Sequence, residues 1–165
     1  MLRSFEPIET PHSRVLILGT MPGVTSLEMA QYYAYGHNKF WPIISELLGF
    51  DIGLSYKQRC EIIAQRNIAL WDVLSSCLRQ GSLDSNIEQE RPNNIAGFIE
   101  MHENIKAVFF NGGNAEKFFK KYITSNVEDF QDIHFERLPS TSPANASMNY
   151  SQKLEKWRVI LDFVS

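Results

Sequence analysis

The apolar run Val15-Leu16-Ile17-Leu18 stops at Gly19-Thr20-Met21-Pro22-Gly23. So short an apolar run, bounded by glycine and proline, reads as a strand buried on both faces. Such strands belong to parallel sheets covered by helices. The loop after it is built for close approach. Two glycines let backbone N–H groups come near a ligand, and Pro22 stiffens the turn. A row of oriented amides suits an anion or a polar base edge. Tyr32, Tyr33 and Phe40, a few residues on, supply flat faces on which a nucleobase could stack.

The same grammar recurs along the 165 residues. Phe40, Trp41, Ile43, Ile44, Leu47 and Leu48 fall at helical spacing, and Gly49 closes that helix. Ser55-Tyr56-Lys57-Gln58 resembles a capping box and opens a helix toward Gln65. Ile68–Trp71 reads as a second strand. Residues Leu78–Asn94 read as polar and irregular, punctuated by Gly81, Ser82, Asp84 and Pro92. A short helix Ile95–His102, a third strand Ala107–Phe110, a helix Asn114–Tyr122, a fourth strand Ile133–Leu138 and an amphipathic helix Gln152–Val164 complete the chain. Strands alternating with helices predict a single domain over residues 1–165. It is a three-layer α/β/α arrangement with a central, mostly parallel four-stranded sheet.

Each predicted strand runs into unusual polar residues: Gly19–Gly23, then Asp72, then Asn111-Gly112-Gly113-Asn114, then Pro139-Ser140-Thr141-Ser142-Pro143. Ligands of open α/β sheets bind at the carboxyl ends of the strands. Four such loops on one edge argue for a site better than any one of them.

Bulk properties narrow the classes. No apolar run reaches membrane-span length, and the N-terminal residues show no apolar leader segment. Cys60 and Cys77 lack metal spacing, and the histidines are scattered, so no metal site is expected and a reduced cytoplasmic protein is. The formal net charge of −3 argues against a protein that coats nucleic acid non-specifically. A local basic face could still come from Arg3, Arg14, Lys39, Lys117, Lys120, Lys121, Lys153 and Lys156.

Together, GTMPGVTSLEMAQYYAYGHNKFW, Leu70-Trp71-Asp72-Val73-Leu74, Gly81-Ser82-Leu83-Asp84-Ser85, Phe110-Asn111-Gly112 and Leu138-Pro139-Ser140-Thr141-Ser142-Pro143-Ala144 resemble, in order, the motifs of the uracil-DNA glycosylase superfamily. Within it they are similar to the hypoxanthine (deoxyinosine) DNA glycosylase branch, from about Arg14 to the C-terminal helix. That resemblance implies monofunctional removal of a deaminated base, hypoxanthine first and uracil or xanthine besides, from double- or single-stranded DNA. The target base would be flipped into a pocket. No cofactor or metal would be needed, and an abasic-site endonuclease would act downstream.

The resemblance also implies roles. Asn38, before Phe-Trp, would be the main catalytic residue, positioning water or hydrogen-bonding the base. Gly19, Thr20, Met21, Pro22 and Gly23 would surround the base, Tyr33 would stack on it and Asn111 would read its edge. Ser140, Thr141, Ser142 and Pro143 would grip phosphates and insert into the gap left by the flipped base, with His37 also against DNA. Asp72 would either handle water or cap a turn. Superfamily members with Asp or Asn at the Met21 position use it on the water, which Met21 cannot do. Leu138 stands where the uracil-specific branch has His, which argues against uracil as preferred substrate. Tyr35-Gly36-His37-Asn38 replaces the branch's His-Pro-Arg-Asn, losing a fixed cation. Met21 and that lost Arg also fit a non-catalytic nucleic-acid-binding domain, and a nucleoside hydrolase is a third reading.

Overall fold

A computed structural model describes residues 1–123 and 130–165. Its centre is a parallel sheet of β2 (Val15–Gly19), β3 (Ile68–Asp72), β6 (Ala107–Asn111) and β7 (His134–Leu138), in the order β3-β2-β6-β7. Each apolar run predicted as a strand is one. Val15 lies opposite Ile68 on one side and Ala107 on the other, so the two inner strands have paired neighbours along their length.

Alternation along the inner strands splits the core. Leu16, Leu18, Val108 and Phe110 face one layer, with α4 (Ile95–Met101) and α5 (Gly113–Ile123). Val15, Ile17, Ala107 and Phe109 face the other, with α2 (Phe40–Leu48), α3 (Tyr56–Gln65) and α6 (Tyr150–Trp157). Side chains of a strand point alternately to opposite faces, so a strand buried on both must be apolar throughout. The predicted stripes Trp41, Phe118, Phe119 and Trp157 are all buried. Gly49 ends α2 at φ 76°, the left-handed region glycine enters at little cost. Ser55 and Gln58 close the expected capping box on α3.

Three elements differ from expectation. Residues Leu78–Asn94 are not irregular throughout. The segment β4 (Leu74–Leu78) pairs antiparallel with both β1 (Leu2–Arg3) and β5 (Glu88–Pro92), making a second, three-stranded sheet. β5, Glu-Gln-Glu-Arg-Pro, is an edge strand without apolar alternation, and Gln89 sits at φ 51°. The helix α1 (Val24–Met29) has no side-chain cap and buries only Ser26, so no stripe announces it. The C-terminal helix is α-helical only to Trp157 and continues as a 3₁₀ turn over Arg158–Asp162. Trp157 and Ile160, both fully buried, stand three apart, the period of that tighter winding. Among the described residues no helix is long and apolar enough to cross a membrane.

Candidate active site

From β2 the chain passes to β3 on one side, then crosses to β6 on the other. Ligands of such sheets lodge where the strand order reverses. There, beyond the carboxyl ends of β2 and β6, a cleft of about 1180 Å³ opens. The loops after all four parallel strands line it.

The first loop is rigidly held. Gly19 O accepts from Val73 N (2.8 Å) and Thr20 O from Leu74 N (3.2 Å), joining the loop to the chain after β3. A Cβ on Gly19 would lie 2.5 Å from Asp72 Oδ1 and 2.9 Å from the Tyr33 hydroxyl, so glycine is needed here for space. Met21 lies in the floor of the cleft and is packed in the core.

The paired tyrosines divide their labour. Tyr32 is buried, donating its hydroxyl to Glu6 O (2.8 Å) while its carbonyl accepts from Trp41 Nε1. Phe40 is fully buried. Neither offers a free face, so the expectation that Tyr32 and Phe40 stack on a base is corrected. Tyr32 and Tyr33 both line the cleft, but Tyr32 is buried there, and Tyr33 is the one left partly exposed, at φ 55°. A non-glycine residue pays for that conformation in strain, which functional sites often hold. Its ring stacks on Phe40 at 4.1 Å. Burial, and then the Asp72 charge, hold its hydroxyl protonated well above the ordinary range.

Asn38 forms part of the wall. Its Oδ1 accepts from Phe40 N at 2.9 Å at the start of α2, where Lys39 occupies the N-cap without a side-chain cap bond. Because a backbone N–H can only donate, this bond fixes which end of the amide is oxygen. Among the described residues Nδ2 makes no hydrogen bond within the chain, so Asn38 offers donors to an occupant.

Asn111 is differently placed. Its Oδ1 accepts from Thr141 N (2.9 Å) and its Nδ2 donates to Thr141 Oγ1 (3.0 Å). One N–H and one lone pair remain for other partners, and the amide chiefly holds the last loop in register. Thr141 is 1% exposed, so the reading of its hydroxyl as a phosphate grip is corrected: it is a buried strut, and Ser140, Ser142 and Pro143 carry that loop's cleft face. Gly112, at φ 94° with Ser140 Cβ 3.0 Å from a would-be Cβ, lets the two loops touch.

Asp72 is buried, and its Oδ2 has no hydrogen-bond partner among the described residues. Burial first, and the neighbouring Asp84 second, raise its pKa from 3.8 to about 7, against the opposing pull of Arg79. Arg79, Asp84 and Asn114 are site residues that sequence reasoning passed over. Arg79 donates to Gly81 O and Pro22 O, and Asn114 donates to Asp84 Oδ2 at 3.4 Å. Burial raises the Asp84 carboxyl too. Its motif, Gly81–Ser85, was visible, but nothing in it said the segment folds back over the first loop.

Three of the candidate cations gather at the last loop. Lys39 N donates to Thr141 O (2.9 Å), Lys153 Nζ lies 3.4 Å from Ser142 O, and Lys156 lines the cleft. Burial and the Lys39 charge push the Lys153 ammonium down. Lys120 and Lys121 pair with Glu116 and Glu90 instead, and Arg14 reaches the Ser165 carbonyl. His37 is exposed beside Tyr35, outside the cleft lining. Among the described residues no three His, Cys, Asp or Glu side chains cluster as metal ligands would.

The parallel-sheet α/β domain thus carries a polar cleft at its switch point, with Tyr33 and Tyr35 in its walls, the glycine-bearing loops lining it and Lys156 at its edge. The family model for the uracil DNA glycosylase superfamily matches residues 7–163, and the chain belongs to that superfamily. It is a DNA glycosylase by family, with DNA as its substrate class. A protein named hypoxanthine DNA glycosylase from Methanosarcina barkeri is 34% identical over 111 residues, spanning 67% of this chain and 70% of its own. One of the same name from Methanosarcina acetivorans is 28% identical over 96% of both. A solution NMR structure from M. acetivorans, provisionally described as a uracil DNA glycosylase, superposes with a TM-score of 0.80. It is 28% identical, covering 96% of this chain and 94% of that one.

Proposed function

We propose that this chain is a monofunctional glycosylase that hydrolyses the N-glycosidic bond of deoxyinosine in DNA, releasing hypoxanthine. The observation that carries the reading is Asn38, its amide oxygen spent on Phe40 N and its Nδ2 offered at the wall of the cleft. Hypoxanthine presents acceptors at O6, N3 and N7. As the C1′–N9 bond breaks, its electron pair leaves with the base, and a fixed donor at such an acceptor stabilises the charge that develops there. Water then adds its oxygen to C1′ and loses a proton, the departing base gains one, and an abasic site remains. Asn38 therefore serves the leaving base rather than the water. Asp72, unpartnered at Oδ2 and within the same cleft, is the group that takes the proton from water. Tyr33 bounds the base from one side. Met21 supplies no carboxylate, and Leu138 is buried where the uracil-specific branch has His. The names of both relatives point to the same base.

The test is an oligonucleotide bearing one deoxyinosine or one deoxyuridine, single- or double-stranded, read as alkali-sensitive breaks. Breaks at deoxyinosine are expected. Breaks only at deoxyuridine would overturn the base assignment, and binding without breaks would leave a non-catalytic domain.

A further inference from the structure

We infer that Asp84 is the residue that tells hypoxanthine from adenine, its carboxylate accepting the N1–H of the flipped base. This rests on the glycosylase reading above. The two purines differ along one edge. Hypoxanthine carries O6 and a protonated N1, whereas adenine carries an amino group at C6 and a bare N1. Hypoxanthine therefore needs an acceptor facing N1, and adenine needs a donor there. A site with a fixed acceptor at that point leaves it unpaired against adenine, which is how a polar pocket rejects a near-isostere.

Few groups in the cleft can be that acceptor. The Asn38 oxygen is already engaged by Phe40 N, so that amide turns donors to the occupant. The first loop's carbonyls are engaged as well: Gly19 O by Val73 N, Thr20 O by Leu74 N, Pro22 O by Arg79 and Gly23 O by Leu27 N. Hydroxyls rotate between donor and acceptor and so suit either base. Asn111 is held at both ends by Thr141 and has the Tyr33 hydroxyl against it. Among the described residues three carboxylates line the cleft. Glu136 pairs with His134 at 2.7 Å part-way along β7, and Asp72 serves the water in the proposed reaction. Asp84 remains.

Its mount is fixed. Ser82 Oγ accepts from Val24 N at 2.9 Å, tying the segment to the end of the first loop. Asp84 opens the 3₁₀ turn Asp84–Asn86, and its carbonyl accepts from Ile87 N. Asn114, in the first turn of α5, donates to Oδ2 at 3.4 Å, and the Thr20 hydroxyl bears on the same carboxylate. One side chain thus meets the loops after β2 and β6, the two strands at the switch point. Burial raises its carboxyl, while Asn114, Thr20 and Arg79 each pull it back toward the ionised form, which only accepts.

The test compares deoxyinosine with deoxynebularine, a purine that keeps N3 and N7 but has a bare N1 and no O6. In single-turnover excision, Asp84→Ala should lose at least about tenfold more on deoxyinosine than on deoxynebularine, the scale of one hydrogen bond to a charged group. Asp84→Asn keeps the shape, and with its oxygen held by Asn114 it presents an N–H to the base. It should shift the preference further toward deoxynebularine, and it decides alone if the alanine variant does not fold. Equal losses on both substrates, an unchanged deoxyinosine rate, or a loss confined to deoxyinosine in Asn111→Ala and absent in Asp84→Ala would overturn the assignment. Binding is read apart from chemistry with single strands bearing 2′-fluoro-deoxyinosine or 2′-fluoro-deoxyadenosine, which resist hydrolysis. Wild type should bind the first about tenfold tighter or more, and Asp84→Ala should bind both alike. If wild type excises nothing, the glycosylase reading fails by itself. The binding preference then still decides whether Asp84 reads the base.

Discussion

Asp72 is the residue whose chemistry is most exposed to test. Its carboxyl has a pKa of about 7 in the folded chain against 3.8 ordinarily, chiefly through burial. The folded state therefore keeps a proton that the unfolded chain releases at lower pH. Stability from this group is full below about pH 4, drains as the unfolded chain ionises, and is lost once pH passes about 7. Asp72→Asn removes that loss. Its melting temperature should exceed the wild type's at pH 8, and the difference should vanish near pH 4. Activity runs the opposite way. If the ionised carboxylate takes the proton from water, wild-type excision rises through about pH 7 and Asp72→Asn shows no such limb. A melting curve and a pH–rate profile on the same two proteins check both, and a profile shared by the variant would remove Asp72 from the chemistry.

The elements tie those residues together, and here the sequence was uneven. The parallel strands were legible because burial on both faces leaves unbroken apolar runs, and α2 and α3 because their end signals are local. The second sheet was not. β5 carries no apolar alternation, and its partner strand is joined in turn to Leu2–Arg3 at the far end of the chain. The loops of the cleft were legible as loops, but their internal division was not. Which tyrosine is core depends on Glu6 and Trp41, and which hydroxyl of Ser140–Ser142 is buried depends on Asn111. The β2 loop is where the elements meet most tightly. Gly19→Ala puts a methyl into Asp72 and Tyr33 together. Overpacking of this kind costs about 1–3 kcal/mol. The variant should melt several degrees lower and lose excision disproportionately. Wild-type activity in a stably folded Gly19→Ala would show that the spacing of those two side chains does not matter.

At the scale of the molecule, a net charge of −3 has to be reconciled with a polyanionic substrate. Of the three lysines gathered at the last loop, Lys153 is buried on the Ser142 carbonyl, so Lys39 and Lys156 provide the local footprint, while Lys120 and Lys121 are spent on acids elsewhere. Each phosphate neutralised contributes about −0.9 to the slope of log affinity against log salt. With two accessible lysines, DNA binding should then show a slope of about −2 on that rule, and Lys156→Ala should reduce its magnitude by about 1. A titration series at several salt concentrations reads this directly. An unaltered slope would place the DNA backbone on another face.

The central claim is that Asn38 acts as a fixed donor to the departing base. Single-turnover excision from a deoxyinosine duplex, by wild type, Asn38→Ala and Asn38→Asp, tests it most directly. Asp keeps an oxygen for Phe40 N and removes the N–H donors, whereas Ala removes both. Both variants should fold and both should lose on the order of 10²-fold or more, the scale of one preorganised donor. Near-wild-type excision by Asn38→Asp would contradict the account and make the side chain an acceptor for water instead.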